Sequence, residues 1–441
     1  MRDPHREEPA PPHTATSRRD FLRTALRGGA CLSLGAVACS RSSKKKETAG
    51  TSTGKRARYY VGLLMSGGHD TVYTTDPKER GEVDAGVYLP ADNAITAVGN
   101  LRLGRHFAPL EPMARDLTLL NGIQLGTANH ETGLMQFFRL KTNTVVSMPS
   151  LLDIVGAHRD SQPLGSIYLN VLFRNLHTPK FIGTADRFYH GERNLLDEVA
   201  ATNPDQLRQL GKVLAAKAQS LRREGQRTST SVTLSNLSDA ARFFERVADV
   251  EPLVKKTYSD NYMPQTMAES FDQAAWLLEN DLACAVGIDL GLLEWDSHIA
   301  NHSRQTLANT TFVKHFTRFM KRLRESDNAH GNVAENTVIF AGSDMGRFPR
   351  LNDMQGKDHL PQTSFFFAGP GWRGGRSFGQ TGKQMDAMPI SLKTGRPGQS
   401  GGKKLILDDI GATVLTLAGL DPELYGYHGN VLDFLLQERM S

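Results

Sequence analysis

Three stretches of this chain place a carboxylate beside an imidazole: His69-Asp70, then Asp296-Ser297-His298 with His302 just beyond, then Asp344 followed by Asp358-His359. Carboxylate oxygen and imidazole nitrogen together suit Zn²⁺, Mn²⁺ or Fe²⁺, whereas Ca²⁺ takes oxygen ligands. One or two such ions, zinc first and manganese or iron as alternatives, could activate water and hold a transferring phosphoryl or sulfuryl group. His298 and His302 are four residues apart and would share a face if they stood on one helix. A fourth stretch, Thr127-Ala128-Asn129-His130-Glu131-Thr132-Gly133, is a polar turn opening into the periodic LMQFFRL. A helix N-terminus offers free N–H groups to an anion, so Thr127, His130 and Thr132 are candidates for substrate or metal contact. Arg347 could grip an anion through two parallel N–H bonds or could salt-bridge within its own loop. The competing reading has Asp296 and Asp344 capping helices while the histidines fill polar loops.

Such residues need strand ends to carry them. Val338 to Ala341 is an apolar, β-rich run that turns polar at Gly342-Ser343-Asp344, as a buried parallel strand does when it delivers an acid into a crevice. Tyr59 to Met65 is a similar run, and Ser66-Gly67-Gly68 behind it lets the backbone turn sharply before His69 and Asp70. Leu117 to Asn121, Ile167 to Val171, Ala283 to Ile288 and Ser364 to Ala368 read as further strands. Helical periodicity marks Phe107 to Met113, Phe312 to Leu323 and Leu407 to Ala418, with a helical section at about 204–280. Ser150 with Asp153 forms a capping box at another helix start. Residues 170–200 and Trp372 to Gly402 read as loops, and the second could overhang a site.

The 441 residues, 39% hydrophobic, suffice for one large domain or a domain with an inserted lobe. The net charge of +5 is unevenly placed: residues 1–58 hold 13 Lys or Arg and 5 Asp or Glu, which leaves 39 basic and 42 acidic residues for the remainder. The body therefore lacks the overall basic balance expected of a nucleic-acid binder, and no nucleic acid is expected as partner. Of three cysteines, Cys31 and Cys39 precede the body and only Cys284 lies within it, so the body can form no internal disulfide. Cys284, in the apolar run LACAVGI, reads as a buried small hydrophobe.

Ser17-Arg18-Arg19-Asp20-Phe21-Leu22 resembles a twin-arginine export signal and is followed by a weakly apolar stretch, Ala25 to Ala38. The expected organisation is a signal peptide over 1–38, a tether over 39–58 and an α/β domain over 59–441. Gly35-Ala36-Val37-Ala38-Cys39-Ser40 looks like a lipoprotein processing site, although Ala36 stands where Leu is usual and ordinary cleavage near Ala38 also fits. Arg41 to Arg58, rich in Ser, Lys, Arg, Thr and Gly, cannot bury a core and reads as a flexible tether. The twin-arginine translocase is the implied export partner. A lipid on Cys39 would anchor the body to a membrane in the periplasm or outer cell envelope.

GGHD, NHETG, WDSH, SDMGRFP and GKDH, then FFFAGPGWRGGRSFG and DDIGATVLTLAG, resemble the uncharacterised twin-arginine-exported branch of the alkaline phosphatase and sulfatase superfamily, a branch known as a domain of unknown function. The resemblance runs from about Tyr59 to Leu436. It implies an alkaline-phosphatase-like α/β core: a central, mostly parallel sheet with helices on both faces and a two-metal site at the C-terminal strand ends. By resemblance, Asp70 is the first metal aspartate, Asp296 with His298 (or His302) serves one metal, Asp344 serves the other, and His359 is the late histidine ligand. Met345 departs from the pattern, because superfamily hydrolases usually carry His there and a thioether is a poor ligand beside hard oxygens. His130 or Asp358 could substitute, or a single metal could bind. The nucleophile also departs: Thr132 and Thr127 are candidates, and Ser147-Met148-Pro149-Ser150 only faintly echoes the sulfatase cysteine motif.

The expected function is hydrolysis of phosphate or sulfate esters, small-molecule or glycan, with His130 and Arg347 steadying developing charge. The alternative is a non-catalytic cell-envelope protein that binds an anionic glycan in a degenerate cleft.

Overall fold

The computed structural model describes residues 57–144, 148–158, 164–170, 202–223, 230–250, 267–291, 294–398 and 401–437. The leader, nearly all of the tether, residues 171–201 and Ser147 lie outside the described residues, and so do the expectations that fall on them.

The main sheet is built from Tyr59–Leu64 (β1), Leu117–Gln124 (β2), Leu164–Leu169 (β3), Ala283–Asp289 (β4) and Thr337–Gly342 (β5). A two-residue ribbon, Gly346–Arg347 (β6) with His359–Leu360 (β7), stands outside it. Gln362–Ala368 (β8), Arg376–Gly379 (β9) and Leu405–Ile406 (β10) complete the sheet. Its eight strands run β9-β2-β8-β5-β1-β4-β3, with β10 also on β2. β1 lies at the centre, parallel to β4 and β5. β3 is parallel to β4, and β9 and β10 are parallel to β2. Only β8 is reversed, antiparallel to both β2 and β5. The sequence expectation of an α/β fold with a mostly parallel sheet holds.

The central strands are apolar on both faces because both are covered. On one side Tyr59, Val61, Ile339 and Phe366 join a core shared with the helices Met267–Glu279 (α5) and Asn301–Arg324 (α6) and with Pro204–Arg223 (α3) and Thr230–Val247 (α4). On the other, Tyr60, Phe340, Phe365 and Phe367 meet His130–Arg139 (α1), Leu151–Ala157 (α2) and Leu407–Leu417 (α7). Phe366 packs against Phe107, Phe312 and Phe316 with ring centres 5.4–5.8 Å apart. Cys284 is buried as expected. Ser150 and Asp153 form the capping box of α2.

Candidate metal centre

β1, β2, β4 and β5 run in one direction and end at one rim, where reversed β8 begins. The loops after the first four and the segment before β8 therefore meet there. A parallel β8 would need a crossover back along the sheet. Because it is reversed, the whole connection from Ser343 to Pro361 can stay at the rim.

His130 is the first residue of α1, which Asn129 caps by accepting the Thr132 N–H at 3.0 Å. A Cβ on Gly133 would stand 2.3 Å from the Asp344 carbonyl oxygen, so only glycine lets this turn rest on the Asp344 loop. His130 Nδ1 lies 2.6 Å from Asp344 Oδ2. The buried Asp344 also accepts the Gly67 N–H at 2.9 Å and the Ser343 hydroxyl at 3.1 Å. His130 Nε2 is buried without a hydrogen-bond partner and lies 3.7 Å from Asp296 Oδ2.

His359 repeats the arrangement. Its Nδ1 is 2.7 Å from the Ala128 carbonyl, while its Nε2 lies 3.8 Å from Asp296 Oδ1 and 2.8 Å from His298 Nε2. His298 Nδ1 is 3.3 Å from Asp358 Oδ1, and its Nε2 is 3.4 Å from Asp296 Oδ1. Each Nδ1 thus faces an acceptor, which favours a proton on that nitrogen and aims Nε2 at Asp296. Donor atoms of His130, Asp296 and His359 all fall within 4.8 Å of one another. His298 Nε2, 2.8 Å from His359 Nε2 and 3.4 Å from Asp296 Oδ1, stands against the same group.

Burial alone would push the His130 imidazole down, but Asp296 and Asp344 on either side outweigh it and bring its pKa to about 9. Burial would likewise raise Asp296. Contacts with His130, His359 and Arg347 instead hold its carboxyl well below the usual range. An orphaned imidazole nitrogen, two further imidazoles and a carboxylate kept ionised are a donor set that fits a Zn²⁺-like ion.

Several expected roles need correction. Asp70 does not join the cluster: its carboxylate lies 2.8 Å from Lys357 Nζ and accepts from Asn301 Nδ2 at 3.0 Å. Both charged side chains are almost fully buried, so the pair neutralises itself. Arg347 is no free clamp for substrate. Its guanidinium is buried, donating to the Gly67, Gly68 and Lys357 carbonyls and to Asp296 Oδ1 at 2.6 Å. Gly68, at φ +103°, makes room, since a Cβ there would meet Arg347 Nε at 2.5 Å. His298 and His302 share no helix face. Ala300, left-handed at φ 52°, separates the loop of His298 from α6, and His302 Nδ1 turns to the Tyr73 hydroxyl at 3.3 Å. Met345 is a fully buried core residue. The free N–H groups expected at α1 are partly taken by Asn129, whose side-chain and main-chain oxygens accept from Thr132 and Gly133. Thr132 stays half-buried on that turn beside His130, and Thr127 Oγ1 accepts from Asn129 N. Sequence reading passed over Lys357 and Asn301. The only signal for Lys357 was its place beside Asp358-His359.

No curated protein is similar in sequence to this chain. Solved structures resemble it distantly. They include the lipoteichoic acid synthase LtaP from Listeria monocytogenes, 10% identical over 86% of this chain and 76% of that one, at a TM-score of 0.38. A protein in the alkaline phosphatase superfamily from Vibrio parahaemolyticus is 10% identical over 87% and 71%, at 0.39. A Bacteroides thetaiotaomicron protein described with the metabolism of multiple glycosaminoglycans is 10% identical over 87% and 77%, at 0.43. At such scores the chemistry has to be read from the chain's own residues. The chain belongs to the family described as "Protein of unknown function (DUF1501)", whose profile matches residues 57–438.

Proposed function

We propose that this is an exported, metal-dependent hydrolase of phosphate or sulfate esters, with its centre at His130, Asp296 and His359 and with His298 beside them. The supporting observation is that three imidazoles, each held at Nδ1, turn Nε2 toward one ionised carboxylate. A divalent ion there would polarise an ester oxygen and make water a better nucleophile near neutral pH. The chain's own part is orientation. Asp344 fixes the His130 tautomer, and Arg347 pins Asp296. His298, 43% exposed at its side chain, stands at the open side of the centre. Thr132 is the side chain nearest in sequence to His130 that could supply an attacking hydroxyl.

Metal analysis of natively purified protein, paired with a panel of phosphate and sulfate esters, tests the reading. One equivalent of transition metal, lost in His359→Ala together with turnover, is the expected result. Absence of both metal and turnover from the native protein would sink it. The self-paired Asp70 and Arg347 favour a second reading, a degenerate cleft that binds an anionic glycan without cleaving it. Bound metal with saturable binding and no turnover would select that reading.

We further propose twin-arginine export and attachment to the cell envelope by a lipid on Cys39. No helix among the described residues is long and apolar enough to cross a membrane. Lipid labelling that persists in Cys39→Ala would reject the anchor.

A further inference from the structure

A cavity of about 550 Å³ opens beside the edge strand β9. None of the metal-centre residues lines it. Its walls carry Lys78, Arg102, Arg373, Arg376, Lys393 and Arg396 against a single acid, Asp76. That balance runs against a body that is slightly acidic as a whole.

The charges sort into two groups. Asp76 is spent internally: it lies 2.9 Å from Lys78 Nζ and accepts from the Thr381 hydroxyl. Arg102 is held by both oxygens of Glu82 at 2.8 Å, and Arg373 donates to the Leu436 carbonyl. Arg376, Lys393 and Arg396 are exposed and have no acidic partner among the described residues. Like charges gathered without counter-charge repel one another, and an anion relieves that repulsion.

Two buried polar atoms on the same walls also lack partners. Thr75 Oγ1 and Asn121 Oδ1 belong to residues 0% and 4% exposed, and neither makes a hydrogen bond. Unsatisfied polar atoms of that kind are costly unless something reaches them. The half-buried Phe378, backed by the buried Phe434 with ring centres 5.0 Å apart, adds an apolar edge. Gly395 crosses directly over this pair, where a Cβ would stand 2.5 Å from Phe378 and 2.7 Å from Phe434. The volume falls in the range of small-ligand sites.

We propose that this cavity is a second binding site, separate from the metal centre, for a small sugar carrying sulfate or phosphate groups. Arg376, Lys393 and Arg396 meet the anionic groups, Thr75 and Asn121 meet hydroxyls, and the exposed edge of Phe378 packs against the sugar. The inference does not depend on the hydrolase reading.

Calorimetric titration of the full chain tests it, with five probes: a sulfated disaccharide, a sugar bisphosphate, the unsubstituted disaccharide, inorganic sulfate and a short single-stranded DNA. Saturable binding of one or both anionic sugars is expected, at least tenfold tighter than the unsubstituted sugar and than inorganic sulfate. Which of the two wins identifies the anionic group. Arg376→Glu with Arg396→Glu should weaken that binding at least tenfold while the thermal midpoint stays within a few degrees. His359→Ala should leave it unchanged. No binding, equal binding by inorganic sulfate, equal affinity in the double variant, or loss in His359→Ala would each overturn the proposal. Tighter binding of a short single-stranded DNA than of either sugar would do so too.

Discussion

In the proposed metal centre Asp344 would act from behind. Its contact with His130 Nδ1 aims the opposite nitrogen, and such outer partners commonly contribute 10- to 100-fold in affinity. On the proposed reading, Asp344→Asn should weaken zinc binding by that order while leaving the far-UV spectrum unchanged, as a competitive chelator assay would show. Two other histidines bear on pH. His69 and His106 are buried, and burial chiefly lowers each to about 4. Between 4 and the ordinary value of about 6.5 the unfolded chain binds more protons, so stability falls as pH falls through that window. His69 alone should make the protein roughly 2 kcal/mol less stable to urea at pH 5 than at pH 7, and His69→Gln should flatten the profile. His130 acts in the opposite sense, its contribution fading as pH rises through about 9. The residue types at the site were legible in sequence: His130, Asp296, His298, Asp344 and His359 all gather at one place. Their division of labour was not, because charge pairing acts through space. Nothing local tells Asp70 that its counter-ion stands 287 positions away at Lys357.

Elements explain why the gathering works. The turn at the start of α1 rests on the Asp344 loop through Gly133, and Asn129 ties down its first N–H groups. Asn129→Ala should cost about 1 kcal/mol in a denaturant melt, the usual worth of an N-cap. Gly133→Val should do more at the centre than to the fold: His130 is pushed off Asp344 and metal affinity drops while helix content is retained. Strands were readable because buried runs such as Tyr59 to Leu64 and Phe365 to Ala368 are nearly all apolar. Direction was not, since an apolar run looks alike in either sense, and the reversal of β8 is set by which rim the preceding loop occupies. The supposed helix face of His298 and His302 failed for a local reason. Ala300 adopts a left-handed conformation that spacing alone does not announce.

At the scale of the molecule, the Asp70–Lys357 pair joins the loop after β1 to the segment before β8. Removing one partner strands a buried charge, at a cost of about 3–5 kcal/mol. Asp70→Asn should show that loss in equilibrium unfolding, and adding Lys357→Met should recover much of it. The central position of β1 has a further consequence, in time rather than space. Its partners lie 225 and 278 residues downstream, at Ala285 and Thr337. A ribosome adding about 5–20 residues per second needs roughly 15–55 s to deliver the second of them. Until then this apolar six-residue strand lacks at least one of its two native neighbours and is open to wrong pairing.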